Sequence, residues 1–226
     1  ASKLAILASL SFNQNIQYSD VTVEGIDNID LMDIQYAKEL GYQIKLVGTA
    51  RIADGEGVEA HVHPTLVGTK NPLSSVKNEF NAILINADFL GLNMYYGKGA
   101  GSKPTATAVV SDIVKIGLKI SQSKDYNEKS FDLSDKKQLR PMSSITSKYY
   151  LRIMTEDKPG ILAKIGTVLG DNGISLASVI QKDTEKDFAQ VVFTTHKASE
   201  TQFAQSFKTI KTFPFVKKIV YYRIAD

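Results

Sequence analysis

DKPGILAKIGTVLGDNGISLASVIQK, residues 157–182, decides how this chain is read. Ile161, Leu162, Ile165, Val168 and Leu169 fall at i, i+1, i+4, i+7 and i+8, which places them on one face of a helix. Asp157 and Pro159 stand at its start and Gly173 at its end. Beyond the glycine the period changes: Ile174, Leu176, Ser178 and Ile180 alternate as on one face of a strand.

Working outward, KYYLRIMTE (148–156) reads as a strand leading into the helix. DFAQVVFTTH (187–196) places Ala189, Val191 and Phe193 on one strand face. SETQFAQSFKTIK (199–211) opens with Ser199 and Gln202 at capping-box spacing and buries Phe203, Phe207 and Ile210. FVKKIVYYRI (215–224) closes as a strand. The order is βαββαβ, the ferredoxin-like arrangement of two helices on one face of a four-stranded antiparallel sheet. A core of this size covers only roughly 60% of the unfolded surface, so the module is expected to pair with a partner.

Residues 121–148, SQSKDYNEKSFDLSDKKQLRPMSSITSK, are rich in Ser, Lys and Asp and read as a linker. Ahead of it lies a second module. DVTVEGI (20–26) alternates like a strand, and DLMDIQYAKELG (30–41) is a helix capped by Asp30, lined by Leu31, Ile34, Ala37 and Leu40, and stopped by Gly41. YQIKLVGTARI and GVEAHVHPTLVG read as strands joined by ADGEG (53–57); FNAILINAD and GLNMYYG are two more. PTATAVVSDIVKIGLKI is a helix with Pro104 in its first turn. One sheet carrying packed helices is expected here, so the whole chain is α+β. The opening SKLAILASLSF (2–12) fits a short secretory leader or a helix; Leu4, Leu7 and Ala8, with Ile6 and Leu10 extending the apolar surface, favour a largely buried helix.

Composition narrows the function classes. The formal charge of +3 and the interleaving of Lys and Arg with acids exclude a basic stripe for nucleic acid. The absence of cysteine excludes disulfides and thiolate metal sites and is compatible with a reducing cytosol. Three histidines, two of them in AHVHP (His61 and His63), make no zinc set, so no metal is expected. No apolar run approaches the roughly 20 residues that span a bilayer.

Two motifs carry chemistry. In TEDKPGIL (155–162), Pro159 and Gly160 shape a tight entry to a helix whose first amides suit a carboxylate, and Asp157 suits an ammonium group. A free α-amino acid offers both; a plain strand-to-helix turn is the alternative. In YYGKGAGSKPTATAVVSDI, Gly97, Gly99 and Gly101 make G-x-G-x-G, neither a dinucleotide fingerprint nor a Walker loop. The amides of Gly99, Ala100 and Gly101 could still approach a ligand closely, or the glycines serve a turn needing positive φ.

Residues 149–226 resemble an ACT domain, the amino-acid-sensing module of many biosynthetic enzymes. Asp157, Pro159 and Gly160 match its first loop, and Asn172, Gly173, Ile174 and Ser175 its helix-to-strand step. The resemblance implies an effector held near that loop, with Asp157, Pro159, Gly160, Asn172 and Ile174 as candidate contacts and modules paired side by side. KLAILASLSF, VEGIDNID, DIQYAKELGYQIKLVGTA, VHPTLV, FNAILINADFLG and YYGKGAGSKPTATAVVSDI, in that order over residues 1–120, resemble the substrate-binding, catalytic and dimerising region of homoserine dehydrogenase. The family motif runs aspartate, three residues, lysine; Lys3 matches the lysine, and the aspartate is expected just before Ala1. The resemblance implies a lysine that binds the homoserine hydroxyl, stabilises developing charge or relays its proton. Gly99, Ala100 and Gly101 resemble the segment facing the nicotinamide of NAD(P), and His63 is a family marker read as structural.

The expectations are therefore a C-terminal fragment of a cytoplasmic homoserine dehydrogenase, with residues 1–120 catalytic, 121–148 a linker and 149–226 an ACT domain. Its substrate is L-homoserine and its effector L-threonine, as a homodimer or homotetramer. The dinucleotide-binding domain is expected outside the fragment, which then binds no cofactor and is inactive alone. The rival is a non-enzymatic amino-acid-sensing or oligomerisation module.

Overall fold

The computed structural model describes residues 1–53, 57–122, 139–183 and 188–225, a mixed α+β fold. In chain order come α1 (Ser2–Phe12), β1 (Thr22–Val23), α2 (Leu31–Glu39), β2 (Tyr42–Ala53) and β3 (Gly57–Gly68). Then follow β4 (Phe80–Ala87), β5 (Gly91–Lys98) and α3 (Ser102–Gln122). The C-terminal part holds β6 (Thr146–Glu156), α4 (Ile161–Asp171), β7 (Leu176–Asp183), β8 (Phe188–Thr195), β9 (Ala198–Ser199), α5 (Glu200–Lys211) and β10 (Val216–Ile224). The turn between β2 and β3 and most of the expected linker lie outside the described residues.

The chain divides into two compact units, Ala1–Gly68 with Leu133–Asp226, and Thr69–Asp132. The division differs from the expected order of catalytic region, linker and ACT domain, and hydrogen bonding supplies the reason. The last four-stranded sheet runs β10-β6-β8-β7, and β10 continues it onto β3 in parallel, Arg223 beside Thr65 and Ile224 beside Leu66. All twelve residues of β3 pair with β2 on the other edge, and β1 takes the stretch at His61 and Val62. The strands before residue 120 therefore do not share one sheet: β1, β2 and β3 belong to the sheet of the C-terminal module, and β4 with β5 forms a separate antiparallel hairpin.

The βαββαβ order is present. Helices α4 and α5 cover one face of the sheet through Tyr149, Leu151, Ile153, Ile165, Leu169, Val191, Phe193, Phe203 and Ile210. The capping box of α5 is formed, with the Ser199 hydroxyl accepting from the Gln202 amide and the Gln202 side chain accepting from the Ser199 amide. α4 ends in a turn in which Ile174 N–H reaches Leu169 C=O at 2.9 Å and Gly173 N–H reaches Gly170 C=O at 2.8 Å. Gly173 sits at φ +73°, which explains the glycine there. A bulge between Leu176 and Ser178 interrupts the alternation expected along β7: Leu176 faces the helices, and Ile180 faces away from them.

The opposite face of this sheet is covered by α2, with Tyr36 and Ala37 packed against Tyr150, Val192, Tyr222 and Ile224. The face of α2 expected from its apolar residues is only half the buried one: Ala37 and Leu40 reach the core as expected. Leu31 and Ile34 are 67% and 49% exposed, and the buried row is Asp33, Tyr36 and Ala37. Spacing i, i+3, i+4 is kept, but a carboxylate occupies its first position. The first helix is less buried than expected: Ala5 and Ala8 pack against β3 and Ser9 is buried, while Ile6 and Leu10 are 62% and 47% exposed. β1 is only two residues long within the seven expected.

In the second unit, α3 begins at Ser102, two residues before Pro104, and carries no buried residue. Its Val109, Val110, Ile113, Val114 and Ile116, with Leu92 and Tyr95 of the hairpin, are more than half exposed.

Candidate functional site

Lys3 lies in the first turn of α1 and is exposed. The helix turns Ala1, Leu4, Ala5, Ala8 and Phe12 to the core, so positions 3, 6, 7 and 10 share the outward face. Lys3 thus ends an exposed strip of Ile6, Leu7 and Leu10, an ammonium group beside apolar surface. Helix α1 is held to β2 and β3 by small residues: a Cβ at Gly48 would stand 3.5 Å from Leu4 and 3.4 Å from Val62. The Ser9 hydroxyl donates to Ala5 C=O at 2.8 Å and accepts from Ile16 N–H at 3.1 Å, fixing the chain that leaves the helix.

Gly99, Ala100 and Gly101 belong to the other unit, between β5 and α3, and all are exposed. Gly101 has φ +118° and starts the helix by accepting from Thr105 N–H at 3.1 Å. A Cβ at Gly99 would lie 1.5 Å from the Asn81 amide nitrogen. The space a side chain would fill is occupied by the exposed Asn81 side chain, which leaves no vacant cradle there. Lys98 pairs with Glu79 at 3.2 Å. These residues alone do not fit a dinucleotide site.

The turn from β6 into α4 borders a cleft of about 310 Å³. Thr155, Asp157, Pro159, Gly160 and Leu162 form one wall, and Gln181 of β7 with Ala189 and Val191 of β8 the other. Gly160 precedes the helix at φ +86° and supplies no capping side chain; Ile161 N–H reaches Lys158 C=O at 3.4 Å, and the helix start, with the positive pole of its dipole, borders the cleft. Gln181 donates to the Asp157 carboxylate at 3.1 Å and orients it. Lys158 is turned to Glu156 at 2.8 Å. A carboxylate acceptor, a carboxamide and a helix start around an apolar floor suit a small zwitterion. Asn172 and Ile174 lie apart from this wall: Asn172 donates to Val168 C=O at 2.8 Å, and Ile174 is core. Gln181 was not read from sequence, since a polar residue ending a strand gives no signal of the turn it will face.

A buried ionic cluster joins the sheet to α2. The Arg152 guanidinium donates to Asp33 at 2.5 and 2.9 Å, to Gln190 at 3.2 Å and to Asp30 at 3.3 Å. The Tyr150 and Tyr222 hydroxyls donate to Asp33 at 3.1 and 3.3 Å. Burial weakens the charged form of Arg152, but its bonds and charge interaction with Asp33 outweigh that and hold its pKa above the ordinary value. Burial, then the Asp33 charge, raises both tyrosines. Lys218, bonded at 2.7 Å, and the Met32 amide bring Asp30 down to about 2. On the other sheet face, Arg223 donates to Glu200 at 2.5 and 3.0 Å and to Glu24 at 2.8 Å, and Tyr149 donates to Glu200 at 2.8 Å. His63, stacked on His61 at 4.7 Å, bonds to the Thr65 hydroxyl at 2.8 Å. Burial, then the charges of Arg223 and His61, lower His63 to about 3. Among the described residues no group of acids and histidines could hold a metal ion, and no helix is long and apolar enough to cross a membrane.

Comparison with known proteins places this geometry. A family model for homoserine dehydrogenase matches residues 1–114, and one for the ACT domain matches residues 149–214. The homoserine dehydrogenase of Neisseria gonorrhoeae is 36% identical over 96% of this chain, and that of Bacillus subtilis 37% over 97%. The crystal structure of a homoserine dehydrogenase from Thiobacillus denitrificans aligns over 99% of this chain at a TM-score of 0.91 and 34% identity. The chain spans about half the length of these relatives, 51% of both sequences and 52% of the solved structure.

Proposed function

We propose that this chain, which belongs to the homoserine dehydrogenase family, works as the substrate-binding, catalytic and feedback-regulated part of that oxidoreductase. In this reading residues 1–120 serve catalysis and dimerisation, 121–148 link, and 149–226 form the regulatory ACT domain. The reaction is the interconversion of L-homoserine and L-aspartate 4-semialdehyde in the cytoplasm, on the route to threonine, methionine and isoleucine. The observation that carries it is Lys3, presented at the open face of α1 within the stretch that matches the family. From there its ammonium group can hold the substrate hydroxyl and take the charge that develops as the carbonyl forms.

NAD(P) supplies the hydride chemistry when bound. Gly99 to Gly101 alone do not fit such a group, and an unheld hydride acceptor is not positioned. The chain by itself is therefore inactive in this proposal. The exposed apolar faces of α3 and of the β4–β5 hairpin support a homodimer or homotetramer.

The cleft beside Asp157 and Gly160 is assigned to an amino-acid effector, L-threonine. A thermal-shift titration of the 226-residue chain with L-threonine, against L-homoserine, L-methionine and L-lysine, tests it. At 100 times its dissociation constant a ligand adds about 2.7 kcal/mol. A threonine-selective rise that Asp157→Ala abolishes is the expected result. No shift with any amino acid would favour a purely structural regulatory module. NADPH-dependent turnover by the chain alone would overturn its assignment as inactive.

A further inference from the structure

The cleft and helix α2 lie against the same two strands from opposite sides. On β6, Thr155 borders the cleft, and three residues earlier Arg152 reaches through to α2. On β8, Ala189 and Val191 border the cleft, and Gln190 between them turns to Arg152. We propose that Arg152, Asp33 and Gln190 form the joint through which occupancy of the cleft is felt by α2, and through β2 by the helix that carries Lys3. The proposal rests on the reading of the cleft as an effector site and names the residues that transmit from it.

The physical argument is one of saturation and burial. Arg152 is 2% exposed and Asp33 fully buried, and every donor and acceptor bond between them is directional. A buried guanidinium cannot turn to water when a strand shifts, because leaving either charge unpaired is strongly unfavourable. Displacement of Gln190 with β8 draws on Arg152 through their 3.2 Å bond, whose loss would leave a buried carboxamide oxygen unsatisfied, and Arg152 carries Asp33 and α2 with it. α2 passes through Gly41, at φ +80°, directly into β2. β2 in turn admits Leu4 of α1 at Gly48. The path is a contiguous set of packed groups, and an apolar contact in place of the ion pair would let the two surfaces slide.

Native-state hydrogen exchange of the full 226-residue chain in rising denaturant tests it, with and without L-threonine. Two variants are compared, Asp33→Asn and Arg152→Met/Asp33→Asn, the second leaving no unpaired buried charge. In the unaltered chain the amides of α2 are expected to open together with those of β6 and β8. In either variant the α2 amides should exchange about tenfold faster or more, with α4 and α5 keeping their protection. L-Threonine should protect both β8 and α2 in the unaltered chain, and β8 alone in the variants. Independent opening of α2 in the unaltered chain, or unchanged α2 protection in both variants, overturns the joint. Protection of β8 without α2 overturns it while the effector reading stands. If L-threonine protects no amide, the effector reading fails and the denaturant series still decides the joint.

Discussion

The interior of the βαββαβ module and the seam that joins it to residues 1–68 both centre on groups closed to water, yet they are held differently: Arg152, Asp33 and Arg223 are buried in the seam, with Glu24 and Asp30 reaching its wetter rim. The interior is an apolar cluster, twelve residues from Tyr149 to Ile210 among those described, with the Arg223–Glu200 pair at its edge, bonded to Tyr149. The seam puts Arg152 on Asp33 across 119 residues of chain, and Arg223 on Glu24 across 199. Apolar burial is non-directional and tolerates rearrangement; a buried ion pair is satisfied in one geometry only. The interior therefore supplies stability, and the seam specifies how the two lengths of chain sit on each other.

The largest effect should come from breaking the seam on one side. Arg152→Met strands the Asp33 carboxylate in the core and is expected to lower unfolding free energy by about 3–5 kcal/mol, read as a urea midpoint. Replacing both partners, as Arg152→Met/Asp33→Leu, should restore most of it. Interior substitutions should instead be graded by volume. Ile165, fully buried, should lose about 3 kcal/mol as Ala and about 1 kcal/mol as Val. If Arg152→Met is no worse than Ile165→Val, the contrast between the regions fails.

This contrast is also the boundary of what could be read from the residues alone. The six elements of the module follow from periods of 3.6 and 2, because each side chain that meets the interior is apolar and its partners are near in sequence. The helix of α2 and its Asp30 cap are legible, and the Asp30 side chain accepts from Met32 N–H at 3.0 Å. Its buried face is half legible: Ala37 and Leu40 reach the core, but Asp33 sits where an apolar residue would announce it and its partner lies on β6. The pairing of β10 with β3 is equally silent: parallel strands so far apart leave no local trace. Of the candidate site, the Asp157–Gly160 turn was visible through its proline and glycine, while Gln181 depended on strand register. The outward face of α1 was masked by leucines and isoleucine that read as core.

A smaller effect distinguishes the regions by pH. His63, beside Arg223 at the edge of the seam, stays neutral in the native protein down to about 3, through burial and then the Arg223 charge. The unfolded chain takes up the proton near the ordinary value of 6.5. Between these values the unfolded state binds more protons, so stability falls as pH drops from 6.5 toward 3. About 2 kcal/mol should be gone at pH 5. His63→Asn, which keeps an acceptor near Thr65, should flatten that slope in urea titrations at pH 5 and 7. An unchanged slope would move the acid sensitivity to other groups.

The smallest effect belongs where the two regions touch. Ser199 caps α5, whose interior face carries Phe203 and Ile210 and whose first residue, Glu200, is the acceptor for Arg223 and Tyr149. A cap contributes by satisfying one amide and is independent of what the next side chain does. Ser199→Ala should therefore cost about 1 kcal/mol, a melting shift of about 2–4 °C for a chain of this size, and Ser199→Gly only a few tenths. A loss approaching that of Arg152→Met would mean that fraying the first turn also misplaces Glu200 and releases Arg223. The seam would then be anchored in the helix start, and the interior and the seam would be one cooperative structure.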